Sequence, residues 1–548
     1  MKLAGGRRSL GVAAVVAAVV LCLAAVPAGA GQQGKAAKRN VLHATFSSFP
    51  DYMDPALSYN FAGWEAMYDT YTPLLTYKHA SGKEGSEVIP GLAKALPEIT
   101  DGGKTYTLFL RRGLRFSNGR PVRASDFEFA VERMFRLFSP GTSFYTSIVG
   151  AKRFLKTRHG GIRGIVTNDR TGKIVIHLAR PRGTFTQELA LMFVAPVPPD
   201  TPMREAFYRP PPATGPYAIS KVTDTGWSYV RNPEWKRHNR KLLPQLPSGR
   251  VGRIEVKVVR NDEKQVTGVL QGKFDWMQNP PPATRYSELL ARYENTRFRV
   301  EPTLSTYYFW MNTRKAPFND LRVRQAVNYA VDASALQLIY AGQITPTHQI
   351  LPPDMPGYQQ YDLYPHDMVK AKQLIAEAQP KDREITVWTD SESPNDEAGF
   401  YYASVLRQLG FKTHLKVVNA DNYFTVIGNT STPNLDTGWS NWFVDYAHPN
   451  DWFQPMLAGS SILHTYNGNF AQIDIPSLNS KIAELSQTPL GPAQEAEYAA
   501  LDRSYMKLAP WVPYGTRTLS TFVSKRVDLS KVVWNPLFGA DLTSFQPK

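Results

Sequence analysis

Hydrophobic and polar positions alternate along the chain with two periods, and each period predicts a type of element. Thr105 to Leu110 alternates in steps of two after the turn Asp101-Gly102-Gly103-Lys104, which predicts a strand. Lys173 to Leu178 and Ile254 to Val259 repeat that alternation. After a second turn at Asn118-Gly119, Phe127, Val131, Met134 and Phe138 fall on one helix face, with Ser125 as N-cap and Glu128 closing a capping box. Leu321 to Val331, capped by Asp320, and Ala333 to Tyr340, capped by Asp332, predict two more helices. Asp367 to Ala378 places Met368, Ala371, Leu374, Ile375 and Ala378 on one stripe. Core packing accounts for all of these stripes. Short strands alternating with helices predict an α/β architecture, and no internal repeat interrupts it.

One stretch has neither period. Leu10 to Val26 is a continuous apolar run preceded by Lys2, Arg7 and Arg8 and followed by Ala28-Gly29-Ala30, the layout of an export signal cleaved after Ala30. The competing reading is a retained membrane anchor, for which the run is barely long enough. Arg7-Arg8-Ser9-Leu10 faintly resembles a twin-arginine signal. Leu21 in front of Cys22 argues against lipidation. The mature chain is expected to be exported, periplasmic or associated with the cell surface, without spanning a membrane.

Composition narrows the class further. A chain of 548 residues needs two or three cores, and 43% hydrophobic with 12% aromatic residues is a globular composition. The single cysteine, Cys22, forbids an internal disulfide and any cysteine-based zinc site. The formal charge of +16 is concentrated: residues 101–250 hold 26 Lys and Arg against 10 Asp and Glu. No nucleic-acid motif accompanies those charges, so no nucleic acid is expected; a solvated basic face, or contact with an anionic membrane or cell-wall polymer, is.

Catalytic signatures are missing. Gly103-Lys104-Thr105 ends like a phosphate loop, but Glu98 stands where its first glycine must be. Gly438-Trp439-Ser440-Asn441-Trp442 lacks the last glycine of a nucleophile elbow. The histidines never fall at metal-ligand spacing. No catalytic residue, metal or cofactor is therefore expected, and a secreted hydrolase is the reading from another class.

An ordered series of motifs carries a resemblance. It runs from Asp54-Pro55 through Ile89-Pro90-Gly91-Leu92-Ala93-Lys94 and Asp101-Gly102-Gly103-Lys104-Thr105-Tyr106-Thr107. Leu110-Arg111-Arg112-Gly113-Leu114-Arg115-Phe116-Ser117-Asn118-Gly119, Pro121-Val122-Arg123-Ala124-Ser125-Asp126-Phe127 and Glu132-Arg133 follow. Then come Thr214-Gly215-Pro216-Tyr217, Leu270-Gln271-Gly272-Lys273-Phe274-Asp275, Asn312, Pro317 to Ala326, and Trp442-Phe443-Val444-Asp445-Tyr446. The series resembles the family 5 extracellular solute-binding proteins, the dipeptide and oligopeptide receptors of ABC importers.

The resemblance implies a two-lobed type II periplasmic-binding-protein fold, α/β, with an extra N-terminal subdomain. The expected organisation is a signal peptide at 1–30; lobe I at 31–70, 211–300 and 513–548; a basic inserted subdomain at 71–210; and lobe II at 301–512. Arg209 to Pro216 and the chain near Glu301-Pro302 are expected crossing points between lobes, with ordinary surface turns as the alternative. The expected cargo is a small peptide captured by lobe closure and passed to permease subunits by a monomer. Nickel chelates, oligosaccharides, haem or opines are the alternative cargoes. The Asp of the W-x-x-D pattern, Asp445, would hold the peptide amine; its alternative role is capping the turn before Pro449. Trp442 and Trp439 would wall the cavity on that side, and Tyr59 and Phe61 would approach from the other lobe. One departure is that Ala447-His448 stands where the family pattern places an acidic residue after Tyr446.

Overall fold

A computed structural model describes residues 40–548. The apolar run, Cys22 and the expected cleavage after Ala30 lie outside the described residues. Most strands join one 12-stranded mixed sheet, and a separate four-stranded antiparallel sheet holds Glu98–Thr100, Thr105–Phe109, Lys173–His177 and Ile165–Asn168.

The large sheet has two halves. In the first, Val41–Phe46 runs parallel to Arg253–Val258 and Trp276–Met277, and Gly226–Arg231 and Tyr217–Thr223 extend its edge. Leu42, Trp227, Tyr229, Ile254, Trp276 and Phe545 pack its core. In the second, Ser305–Met311 lies antiparallel to Thr437–Phe443, and Glu384–Asp390 and Lys412–Val418 continue in parallel. All seven residues of Ser305–Met311 are buried. Tyr308 stacks on Trp511 at 3.7 Å and Phe309 on Tyr402 at 4.0 Å between centroids, pairings that add to the ~1.5–3 kcal/mol of burying each large side chain.

Two segments join the halves. Phe298–Pro302 pairs in the first half and, after Thr303-Leu304, the chain enters the second as Ser305–Met311. The 13-residue strand Trp511–Val523 returns, its start paired with Ser305–Met311 and its end with Phe298–Pro302 and Trp276–Met277. Hydroxyls stitch the crossings together: Thr303 Oγ1 donates to the Arg517 carbonyl at 2.6 Å, and the Arg517 N–H donates to Ser305 Oγ at 3.0 Å. The crossing expected near Glu301-Pro302 is thus present. The one expected at Arg209 to Pro216 is not, because that segment leads into Tyr217–Thr223 within the first half, and a long continuous strand crosses instead.

Local expectations largely match the elements. Asp320, Asp332 and Asp367 each accept a backbone N–H at the start of their helices, Leu321–Ala330, Ala333–Ile339 and Met368–Ala378. The helix after Asn118-Gly119 differs. It spans Ala124–Arg136, with Arg123 as N-cap, and the Arg123 N–H donates to Asp126 Oδ2 at 2.7 Å. Ser125 lies inside the helix and its hydroxyl donates to Asp169, while Glu128 accepts from Thr167. Phe138 falls beyond the helix in the left-handed region and is 76% exposed beneath the Arg158 guanidinium.

Candidate functional site

The cleft between the halves holds a cavity of about 870 Å³, within the range typical of small-molecule sites. Its floor is Thr303 and Leu304 of the first crossing. Tyr59, Phe61 and Trp64 line it from the first lobe, and Trp442, Asp445 and Met456 from the second.

The first-lobe wall is built from a locked turn. Asp51 accepts from the Tyr59 N–H at 2.6 Å and from the Ser58 hydroxyl at 2.6 Å, and Asn60 caps helix Phe61–Met67 by accepting from Gly63. Gly63 permits that closeness, since an added Cβ would sit 1.9 Å from Ser58 Oγ. Asp54 anchors the turn from below: Arg133 donates to both of its oxygens at 2.9 and 2.5 Å, a fully buried bidentate pair. Tyr59, 41% exposed, is thereby aimed across the cleft, where its hydroxyl donates to Asp445 Oδ1 at 2.7 Å.

The second-lobe wall follows strand Thr437–Phe443, which carries Trp442 opposite Thr306. The chain then turns, with the Val444 N–H donating to the Leu304 carbonyl, and enters helix Asn450–Leu457. Asp451 in its first turn is 2% exposed, and its Oδ2 accepts from the Asp445 N–H at 2.7 Å and from Trp442 Nε1 at 3.3 Å. The turn is therefore capped by the Asp451 carboxylate, which accepts from the Asp445 backbone N–H, while Asp445 itself lines the cavity.

Two carboxylates thus lie side by side with no basic partner among the described residues. Burial pushes the Asp445 carboxyl up to about 7, with the Tyr59 hydroxyl pulling the other way. Burial and then the charge of Asp445 push Asp451 well above the ordinary carboxylate range. Such a pair carries an unmet demand for a cation.

Of the residues singled out from sequence, Asp445, Trp442, Tyr59 and Phe61 line the cavity. Trp439 does not: it is 1% exposed, and its Nε1 donates to the Tyr514 hydroxyl at 2.9 Å, behind the lining residue Phe424. Its strand pairs on both sides, and the alternation that brings Trp442 to the cavity turns Trp439 into the core. Asp451 escaped sequence reasoning. Ala447 and His448 are buried, and the second carboxylate comes from three residues further on, in a helical first turn where an aspartate reads as a helix-start residue.

Beyond Tyr59 and Asp445 lies a second cavity of about 660 Å³, reaching Arg180 and Arg182 of the small-sheet region and Ser486 of the second lobe. Arg182 is occupied by buried Glu188, whereas Arg180 is exposed. Among the described residues, Asp69, His79 and Asp541 bring ligand-type atoms within 4.8 Å of one another, close enough for a metal ion. They lie away from the cleft lining, and His79 Nδ1 already sits 2.8 Å from Asp541 Oδ2.

Two α/β lobes joined by two crossing segments, with a cavity lined from both, define a solute-binding protein of the type II periplasmic class. The model of the bacterial extracellular solute-binding proteins, family 5 middle, matches residues 87–463, and the chain belongs to that family. It is similar to heme-binding protein A of Haemophilus influenzae, 25% identical over 510 residues that cover 88% of each chain. It is also similar to the glutathione-binding protein GsiB of Escherichia coli, 24% identical over 443 residues, 78% of this chain and 81% of that one. Among solved structures, the clavulanic acid biosynthesis oligopeptide binding protein 2 superposes with a TM-score of 0.83 at 25% identity, covering 92% of this chain and 95% of that one. The open, unliganded MppA murein tripeptide binding protein gives 0.76 at 21%, covering 93% and 98%, a likeness of fold. Among the described residues, no helix is long and apolar enough to cross a membrane.

Proposed function

We propose that the chain captures an amine-bearing peptide or peptide-like solute between its lobes and delivers it to the permease of an ABC importer, without transforming it. The observation that carries this reading is Asp445, a carboxylate on the cavity wall backed by the buried carboxylate of Asp451, with no basic partner among the described residues. A ligand ammonium supplies the missing charge, and Tyr59 from the opposite lobe already meets Asp445 there. Closure is then favoured by any ligand that contacts both walls. The protein works outside the cytoplasm as a monomer after removal of the segment ending at Ala30. Lobe I takes Tyr59 and Phe61, lobe II takes Trp442 and Asp445, and the basic face of residues 101–250 is available to an anionic envelope surface.

Titration calorimetry with free-amine peptides of two to five residues tests this. Saturable binding that Asp445→Ala removes, with no cleavage of the peptides, is the expected result; peptide turnover or undiminished binding by the variant overturns it. A flat apolar cargo of the haem type is the second reading, favoured by the aromatic walls and by the likeness to heme-binding protein A. A Soret band on titration with haem would establish it.

A further inference from the structure

The lining of the large cavity is lopsided in charge. Among the described residues that line it, Asp445 is the one ionisable acid and there is no lysine, arginine or histidine. Away from Asp445 the walls are apolar: Phe61 and Trp64 on one side, Phe424, Leu463 and Phe470 on the other. The uncharged polar side chains, among them Asn60, Asn441, Thr303 and Ser460, offer hydrogen bonds but no positive charge. A carboxylate carried into this chamber would leave water with no countercharge to meet it, a burial that proteins avoid unless the charge is paired.

We infer that the ligand's body is uncharged away from its amine: an amine with an apolar remainder, such as a peptide whose carboxyl end is amidated, cyclised or otherwise masked, rather than a zwitterionic peptide. This rests on the proposed amine clamp and adds the specificity of the opposite end. The smaller chamber is another place for a carboxylate next to Asp445, because Arg180 is exposed there and has no partner among the described residues. Tyr59 and Asp445, joined by their hydrogen bond, line both chambers, so a ligand spanning from the large cavity to Arg180 runs past that pair.

Three matched probes decide the matter at pH 8, where Asp445 is ionised: leucyl-phenylalaninamide, its free acid and its N-acetylated amide, each also prepared as the corresponding tetrapeptide. The amide is expected to bind at least tenfold more tightly than the acid, and the acetylated amide about a hundredfold more weakly than the amide. Arg180→Gln is expected to leave the amide and acid affinities within about twofold. An acid that binds as well as the amide, with the acetylated probe still weak, overturns this inference and leaves the amine clamp standing. If Arg180→Gln then weakens the acid alone, the carboxylate belongs to the smaller chamber. An acetylated amide as tight as the free amine sinks the clamp itself, and failure of all three probes to bind sinks both.

Discussion

Two pairs of neighbouring aspartates, one at the cleft and one behind it, meet the same electrostatic problem in opposite ways. Asp69 and Asp541 have a basic side chain of their own beside them. His79 Nδ1 lies 2.8 Å from Asp541 Oδ2 and 3.7 Å from Asp69 Oδ1, with its ring stacked on Tyr68. Burial opposes ionisation of Asp541, yet the charge and hydrogen bond of His79 hold it below the ordinary carboxylate value, while burial and the charge of Asp541 push Asp69 up. Backbone N–H groups of Ala540 and Leu542 complete the cluster by donating to Glu65 and Asp69, which ties the C-terminal segment to the end of helix Phe61–Met67. Asp445 and Asp451 have hydrogen-bond donors but no cation. The first pair is complete in the protein alone and therefore structural. The second is incomplete and has Asp445 on a cavity wall, as the proposed binding role requires.

Removing one member of each pair separates the two arrangements most strongly. Asp541→Ala leaves His79 and Asp69 buried without their partner and is expected to cost about 3–5 kcal/mol, read as a lower denaturation midpoint, with the affinity of the folded fraction unchanged. Asp445→Ala is expected to lower affinity for an amine ligand by about 2–5 kcal/mol with little loss of stability, because no buried charge is orphaned and the freed Tyr59 hydroxyl, on a residue 41% exposed, can turn to water. If both variants lose stability and neither loses affinity, the cleft pair is structural too.

These two pairs also show what could be read before the structure. That Asp445 lines the cavity was legible through the W-x-x-D pattern of the resembled family, and that Tyr59 and Phe61 do so through their place after the Asp54-Pro55 turn. Many other residues of the quoted motifs turn out to hold the scaffold. Asp54 anchors Arg133, Asp275 accepts from the His43 N–H, and Gly215 approaches the Asp69 carbonyl too closely for a Cβ. Asp69, His79 and Asp541 are joined across more than 460 positions, a separation at which no spacing rule operates. Strand Ser305–Met311 escaped for a related reason. Buried on both faces, it has no alternation to betray it. The switch of Ser125 from N-cap to helix interior reflects competition between equivalent acceptors, with the Asp126 carboxylate taking the Arg123 N–H.

A smaller effect separates Asp445 from Asp541 by pH. Asp445 titrates near 7 in the folded, ligand-free protein, far above the ~3.9 of an exposed aspartate. Between those values the folded state keeps a proton that the unfolded state has lost, so stability falls as pH rises through the window and levels off above 7. Asp445→Asn is expected to flatten that fall and to be the more stable protein at pH 8, by about 1–2 kcal/mol. Ligand affinity runs the other way. An ammonium needs Asp445 ionised, so affinity should weaken by up to about tenfold per unit below pH 7, with a proton released on binding. Asp541, held low, stays ionised throughout and contributes to neither slope. Calorimetry in buffers of different ionisation enthalpy at pH 6.5 reads the released proton directly.

The smallest expected effect comes from the one hydrogen bond that joins the cleft pair to the opposite lobe. Tyr59→Phe removes the hydroxyl that donates to Asp445 Oδ1 but keeps the ring against Trp64 and Phe193. Since that donor opposes the effect of burial, its loss should move the midpoint of the Asp445 pH dependence upward, by no more than about one unit. At pH 8 the loss in affinity is then expected to be only a few-fold, on the order of the ~1 kcal/mol carried by a single hydrogen bond. At pH 6.5 it should be larger, because the variant holds its proton more firmly. A purely structural role for Tyr59 would lower affinity equally at both pH values. The ratio of the two losses therefore tells whether the tyrosine tunes the carboxylate or only braces the wall.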